Sequence, residues 1–130
     1  RIPDPGADAT FASAVLDWGR LAESPHREVL ALHRGLLALR HERIVPLLGA
    51  TEGGAGRFEV LAPGTLSVEW RLGAGARLTL IARLADTPLD GLDLRPEGRA
   101  LFTTHPLEGS GPRVERLPAW FAGWWLEDAP

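Results

Sequence analysis

The chain contains no cysteine, methionine, lysine, asparagine, glutamine or tyrosine. Without cysteine it can build neither a disulfide framework nor a thiolate metal site. Without lysine its 14 basic residues are all arginine, spread singly along the sequence. They form no basic stripe of the kind nucleic-acid binding needs and read as solvated faces and ion pairs. No membrane-length apolar run or signal-peptide pattern is present either. The expectation is a cytoplasmic protein with no nucleic-acid or membrane partner. Most of the missing residues have A/T-rich codons, so a G/C-rich genome would explain the bias. Growth at high temperature, which depletes thermolabile residues, would also explain it. Methionine has a single codon, and its absence extends to the initiator, so the chain reads as a fragment of a longer one.

What is present fits an ordinary globular domain. The 130 residues are 45% hydrophobic and 24% charged, with a net charge of −3, enough to bury a real core. The opening Arg1-Ile2-Pro3-Asp4-Pro5-Gly6 is an extended lead-in punctuated by proline. Asp8 or Thr10 is placed to cap a short helix through Ala14, which Leu16-Asp17-Trp18-Gly19 breaks. Ser24-Pro25 is a helix start: serine at the cap, and proline at the first position, where its missing N–H costs nothing.

The helix predicted over 25–42 is the strongest local signal. Val29, Leu30, Leu32, Leu36, Leu37 and Leu39 fall within one half of the cylinder, with Arg27, Arg34, His41 and Glu42 on the other. So wide an apolar arc calls for burial against something substantial. His33 and Arg40 also lie near its middle. They read as a hydrogen-bonded core histidine and a snorkelling arginine, or as a polar pair reaching a sugar or carboxylate.

From Arg43 the period changes from 3.6 to 2. Leu66, Val68, Trp70 and Leu72 alternate with polar residues, and Leu78, Leu80, Ala82 and Leu84 repeat the pattern after Gly73-Ala74-Gly75. Further strands are expected over 57–62, 44–50, 99–104 and 119–127, with 86–98 as a long connection. The predicted architecture is mainly β: an antiparallel sandwich of about six to eight strands preceded by one long amphipathic helix.

Nothing in the sequence has the pattern of a catalytic site. Asp86, Asp90 and Asp93 fall in a polar loop with no evident His or Arg partner, whereas glycoside hydrolysis needs two carboxyls on a rigid scaffold. The histidines at 26, 33, 41 and 105 have no metal-ligand spacing. Ser13, Ser24, Ser67 and Ser110 lack a nucleophile elbow. Gly53-Gly54-Ala55-Gly56 lacks the lysine and hydroxyl of a phosphate loop. No cofactor, metal or catalytic residue is assigned.

Three of the five tryptophans fall in Leu117–Leu126. Read as a strand, this segment puts Trp120 and Trp124 on one face and Phe121 and Trp125 on the other. Trp70 and Trp125 suit a core. Trp120 and Trp124 suit either a core or a domain interface, with a sugar-stacking platform as the third option.

Taken in order, Pro3-Asp4-Pro5, Thr10-Phe11, Leu16-Asp17-Trp18, the run from Leu30 to Arg40, Trp70-Arg71-Leu72 and Leu117-Pro118-Ala119-Trp120 to Trp124-Trp125-Leu126 resemble a known family. They are similar to the C-terminal region of the malto-oligosyltrehalose trehalohydrolases, in the α-amylase superfamily (glycoside hydrolase family 13). Val15 departs from the pattern, in which a basic residue is common. The resemblance implies that residues 1–43 are the lead-in and last helix of a (β/α) barrel lying elsewhere, and 44–130 a C-terminal β-sandwich. It implies a retaining parent enzyme that releases trehalose from malto-oligosyltrehalose, with its catalytic carboxylates upstream of Arg1. The chain itself would then be a non-catalytic structural domain whose partner is that barrel, the malto-oligosaccharide being a substrate of the parent only. Trp18 and Trp124 are the candidate substrate-contacting residues, and self-association through the helix face is a further expectation. The C-terminal domain of a glycogen-branching enzyme, a free-standing carbohydrate-binding sandwich and a protein-interaction sandwich are the alternatives.

Overall fold

Residues 1–38 and 39–130 form separate units. The computed structural model of the chain describes residues 3–107 and 113–129, so Arg1, Ile2 and Ser110 lie outside the described residues.

In the first unit, α1 (Asp8–Ala14) is followed by a 3-10 turn (Trp18–Ala22) and by α2 (His26–Leu39). Ala7 holds the cap position of α1 and no side chain caps it. Thr10, expected as a cap, instead donates from Oγ1 to the Asp4 carbonyl at 2.7 Å. The break after Leu16 has a clear cause: the Asp17 carboxylate accepts from Gly19 N at 3.0 Å and starts the new turn. In the first turn of α2, hydrogen bonds from its own backbone N–H and from Arg27 hold the Glu28 carboxyl below its ordinary range. Neither α1 nor α2 has a buried residue.

The α-helix does not run to Glu42, and 44–50 is not a strand. Arg40–Ile44 is one turn of π-helix, in which Val45 N reaches back to Arg40 O, and α3 (Val45–Leu48) adds a last turn. Pro46 accounts for the change. It has no N–H to give, and its ring would collide with the carbonyl four residues earlier, so the widened turn makes room. A run of apolar residues this short cannot be told from a strand by its period. Thr51 ends the segment, donating from Oγ1 to Leu47 O at 3.1 Å and accepting from Gly73 N at 3.2 Å.

The rest of the second unit is antiparallel β, as expected. Strands β1 (Gly56–Ala62), β2 (Thr65–Arg71), β3 (Arg77–Arg83), β5 (Arg99–Thr103) and β7 (Phe121–Glu127) form one sheet in the order β1-β2-β3-β7-β5. β4 (Leu89–Leu94) pairs with β6 (Val114–Leu117) in a second, two-stranded sheet. β4 corrects the expectation of a long connection over 86–98. Its two aspartates and a glycine mask its character, and its register with β6 shifts between Asp90 and Leu94, where Gly91 has φ 78°.

Alternation sends the central strands' side chains to both faces of the large sheet. On one face Ile81, Phe121 and Trp125 bury against Val114 and Leu117 of β6, with Leu92, Leu94 and Leu107 packed around them. On the other, Leu78 and Leu126 pack with Leu72, Ala76, Trp70 and Trp124, and the helical Ile44 and Leu47 close over them. β3 and β7 are therefore buried on both sides, which is why Ile81 and Arg83, on the polar register of the sequence pattern, are as buried as Leu78. The acceptors around the buried Arg83 are neutral oxygens, and its Nη2 donates to Thr87 Oγ1 at 3.1 Å. Its Nε donates to Thr87 O at 2.9 Å, and Nη1 to Pro63 O at 2.6 Å and Thr65 Oγ1 at 3.0 Å. It thereby ties the β1–β2 turn to the β3–β4 connection. Among the described residues, no buried side-chain polar atom lacks a partner.

Candidate functional site

The first unit is a surface in search of cover. Phe11, Val15, Leu16, Trp18, Val29, Leu32 and Leu37 are all exposed, Trp18 to 70%. Leu30, at one edge of the apolar arc, and Leu36, nearer its middle, are half-buried. Solitary exposed apolar residues are normal, but this many in 38 residues mark an interaction surface. His33 is exposed and bonds through Nδ1 to the Val29 carbonyl of its own helix at 2.8 Å. Arg40 is exposed as well. His33 is therefore not a core histidine.

In the second unit, the end of the large sheet where β7 begins has an unusual feature. The chain leaves the small sheet at Leu117 and enters the large one at Phe121, and both side chains are fully buried. Three residues make the crossing, and the third, Trp120, adopts φ 54°. Its N–H donates to Ala85 O at 3.1 Å, while the indole stands 62% exposed. A left-handed backbone costs a bulky residue about 1–2 kcal/mol, which glycine would avoid. Trp120 therefore lies outside the strand in which the sequence reading placed it. Trp124 and Trp125 do occupy opposite faces of that strand. Trp125 is buried, and Trp124 is half-buried and stacked on Trp70.

Among the described residues the polar side chains assemble no catalytic constellation. Asp90 pairs with Arg116 at 3.5 Å, and Asp93 with Arg113 at 2.9 Å. These two aspartates thus sit on β4 with arginine partners, in place of the partnerless loop carboxylates expected. Arg77 gathers the other carboxylates of that face. Its Nε donates to Glu127 at 2.5 Å, a second nitrogen pairs with Glu97, and Glu69 lies at 3.9 Å. The hydrogen bond from Arg77 holds Glu127 below its ordinary range, and the same bond raises Arg77. An arginine occupying the centre of the cluster makes it an ion-pair network with no room for a cation. Among the described residues no group of three or more His, Asp or Glu could hold a metal.

Of the two residues singled out as substrate contacts, Trp18 belongs to the first unit and Trp124 to the second. Trp18 offers an open indole on a turn capped by Asp17. Trp124 offers only what its stack on Trp70 leaves uncovered. The residue the sequence reading did not separate out is Trp120. Its signal was Pro118, since a proline interrupts a strand and its period.

Comparison with known proteins follows from this geometry. Residues 53–124 match the family described as Domain of unknown function (DUF3459). Two malto-oligosyltrehalose trehalohydrolases are similar in sequence. That of Deinococcus radiodurans is 32% identical over 112 residues, 78% of this chain and 18% of its own length. That of Arthrobacter ramosus is 46% identical over 41 residues, 32% of this chain and 7% of its own. A crystal structure of a protein assigned as an α-amylase, from Salmonella typhimurium, covers 98% of this chain and 20% of its own, with 33% identity and a TM-score of 0.81. The chain thus spans a fifth or less of the length of these relatives. No helix among the described residues is long and apolar enough to cross a membrane.

Proposed function

This chain belongs to the DUF3459 family, and on that premise we propose that it is the non-catalytic C-terminal part of an α-amylase-type glycoside hydrolase. Its role is to dock on and stabilise the catalytic (β/α) barrel. The parent enzyme acts in the cytoplasm and cleaves trehalose from malto-oligosyltrehalose. Hydrolysis belongs to the barrel's carboxylates, and this chain alone turns over no substrate. Residues 1–43 are the end of the barrel and 44–130 the sandwich. The division into units at 38/39, close to the π turn, supports that assignment.

The observation that carries the proposal is the uncovered apolar arc of α2 together with Phe11 and Trp18. A helix with Val29, Leu32 and Leu37 in water has the composition of a barrel helix and the exposure of an interface. The trehalohydrolases that the chain resembles supply the rest.

The test is to express the upstream catalytic region of the same reading frame separately and mix it with this chain under light scattering. A one-to-one complex that Leu32→Glu with Leu37→Glu abolishes is the expected result. A chain that stays monomeric beside the catalytic region, or that pairs only with itself through α2, refutes the docking role.

A further inference from the structure

The Trp120 turn points to a second role for the sandwich. The β6–β7 crossing has a positive φ at its third residue, between Leu117 and Phe121, which are both fully buried. Glycine would adopt it without strain. Instead the position holds the largest side chain available and presents it to water. Local rules are broken in this way where a side chain is retained for something other than folding.

The surroundings indicate what that is. Trp120 N is tied to Ala85 O, which puts the exposed Leu84 and Asp86 beside it. On its other side Thr104 follows the end of β5; its N–H donates to Ala122 O at 2.9 Å and its Oγ1 accepts from Ala122 N at 2.9 Å. Thr104 Oγ1 also meets His105 Nδ1 at 3.0 Å, leaving the Nε2 of that exposed imidazole for an outside group. One end of the sheet therefore carries an exposed indole on a tethered backbone, an apolar neighbour, a carboxylate and an imidazole. An aromatic face for the C–H side of a pyranose, rimmed by planar groups that bond hydroxyls, is the chemistry of a sugar site.

We propose that Trp120 is the stacking platform of a surface site for α-1,4-linked glucan chains, flanked by Asp86 and His105. The choice of sugar rests on the glycoside-hydrolase reading above. The site would hold a malto-oligosaccharide with the weak affinity of an open platform, raising its local concentration near the barrel. The sequence left a sugar platform as the third option for Trp120 and Trp124; the backbone and exposure of Trp120 favour it at that residue.

The experiment titrates maltoheptaose into the full 130-residue chain, following the indole N–H resonances by NMR. The expected result is a saturable shift at Trp120 with a millimolar Kd, several-fold weaker in Trp120→Phe and lost in Trp120→Gly. Trp120→Gly is expected to melt no lower than the parent sequence, because glycine suits φ 54°, so a lost shift cannot be ascribed to unfolding. A thermal midpoint well below the parent's would show that the indole is a structural anchor and would overturn the site. So would the absence of saturation, a shift that survives in Trp120→Gly, or an equal response to cellohexaose. Docking to the catalytic region is scored without sugar, so either conclusion can fail alone.

Discussion

Trp70 and Trp124 stand on β2 and β7, either side of β3, and their indoles stack over it with ring centroids 5.5 Å apart and planes 14° from parallel. The stack roofs Leu78 and Leu126 and links the two strands that flank β3 on the face closed by Ile44 and Leu47. A double-mutant cycle on Trp70→Ala and Trp124→Ala, read by urea denaturation, should give a coupling of about 0.5–1.5 kcal/mol. Trp125→Ala should cost about 3–5 kcal/mol by itself, since that indole lies in the opposite core.

Gly123 sits on β7 between Phe121 and Trp125, whose rings close over it. A methyl group there would lie 2.8 Å from Phe121 Cζ and closer still to the Trp125 ring. Gly123→Ala should therefore destabilise by about 1–3 kcal/mol through overpacking. Gly53→Ala, where nothing lies within 4 Å, should stay within about 0.5 kcal/mol of the parent. Equal denaturation midpoints for the two variants would show that the rings do not meet over Gly123.

Acid should weaken the ion-pair network on Arg77. Hydrogen bonding to Arg77 lowers the Glu127 carboxyl from its ordinary 4.5, while Arg77, also faced by Glu69 and Glu97, stays charged throughout. A depressed carboxyl contributes stability that is present above 4.5 and lost as the pH falls below it through the folded-state value. The gap in denaturation midpoint between the parent and Arg77→Leu should thus narrow as the pH drops through that range. It should also shrink with added salt, because the network is open to solvent.

Much of this fold is legible in the sequence. The alternation of β2 and β3, the turn at Gly73-Ala74-Gly75 and the helical period of α2 each follow from local chemistry. β4 and β6 are not legible, because two aspartates and a glycine in one and four residues in the other leave too little pattern. The helical turns over 43–48 are hidden by Pro46. Burial on α2 is hidden for another reason: periodicity tells which side wants cover, and only the partner decides whether it is covered. Trp120 shows the same limit at the candidate site, since nothing in its own identity announces a left-handed backbone.

Full burial of the apolar arc of α2 would make Leu36→Asp far worse than Arg34→Asp. With Leu36 only half-buried, the two variants of this chain should differ by about 1 kcal/mol or less in thermal unfolding. The difference should reappear as lost affinity for the catalytic region. A large gap in the isolated chain would mean that the α2 arc is already covered.

Hydrogen exchange tests the docking claim most directly. Mass spectrometry on this chain, alone and mixed with the catalytic region of its own reading frame, reads the amides of α2 and the turn at Trp18. The account predicts slowed exchange over 26–39 and 18–22 on mixing, with β3 and β7 unchanged because they are buried already. Unaltered exchange across α2, with or without protection elsewhere, would contradict it.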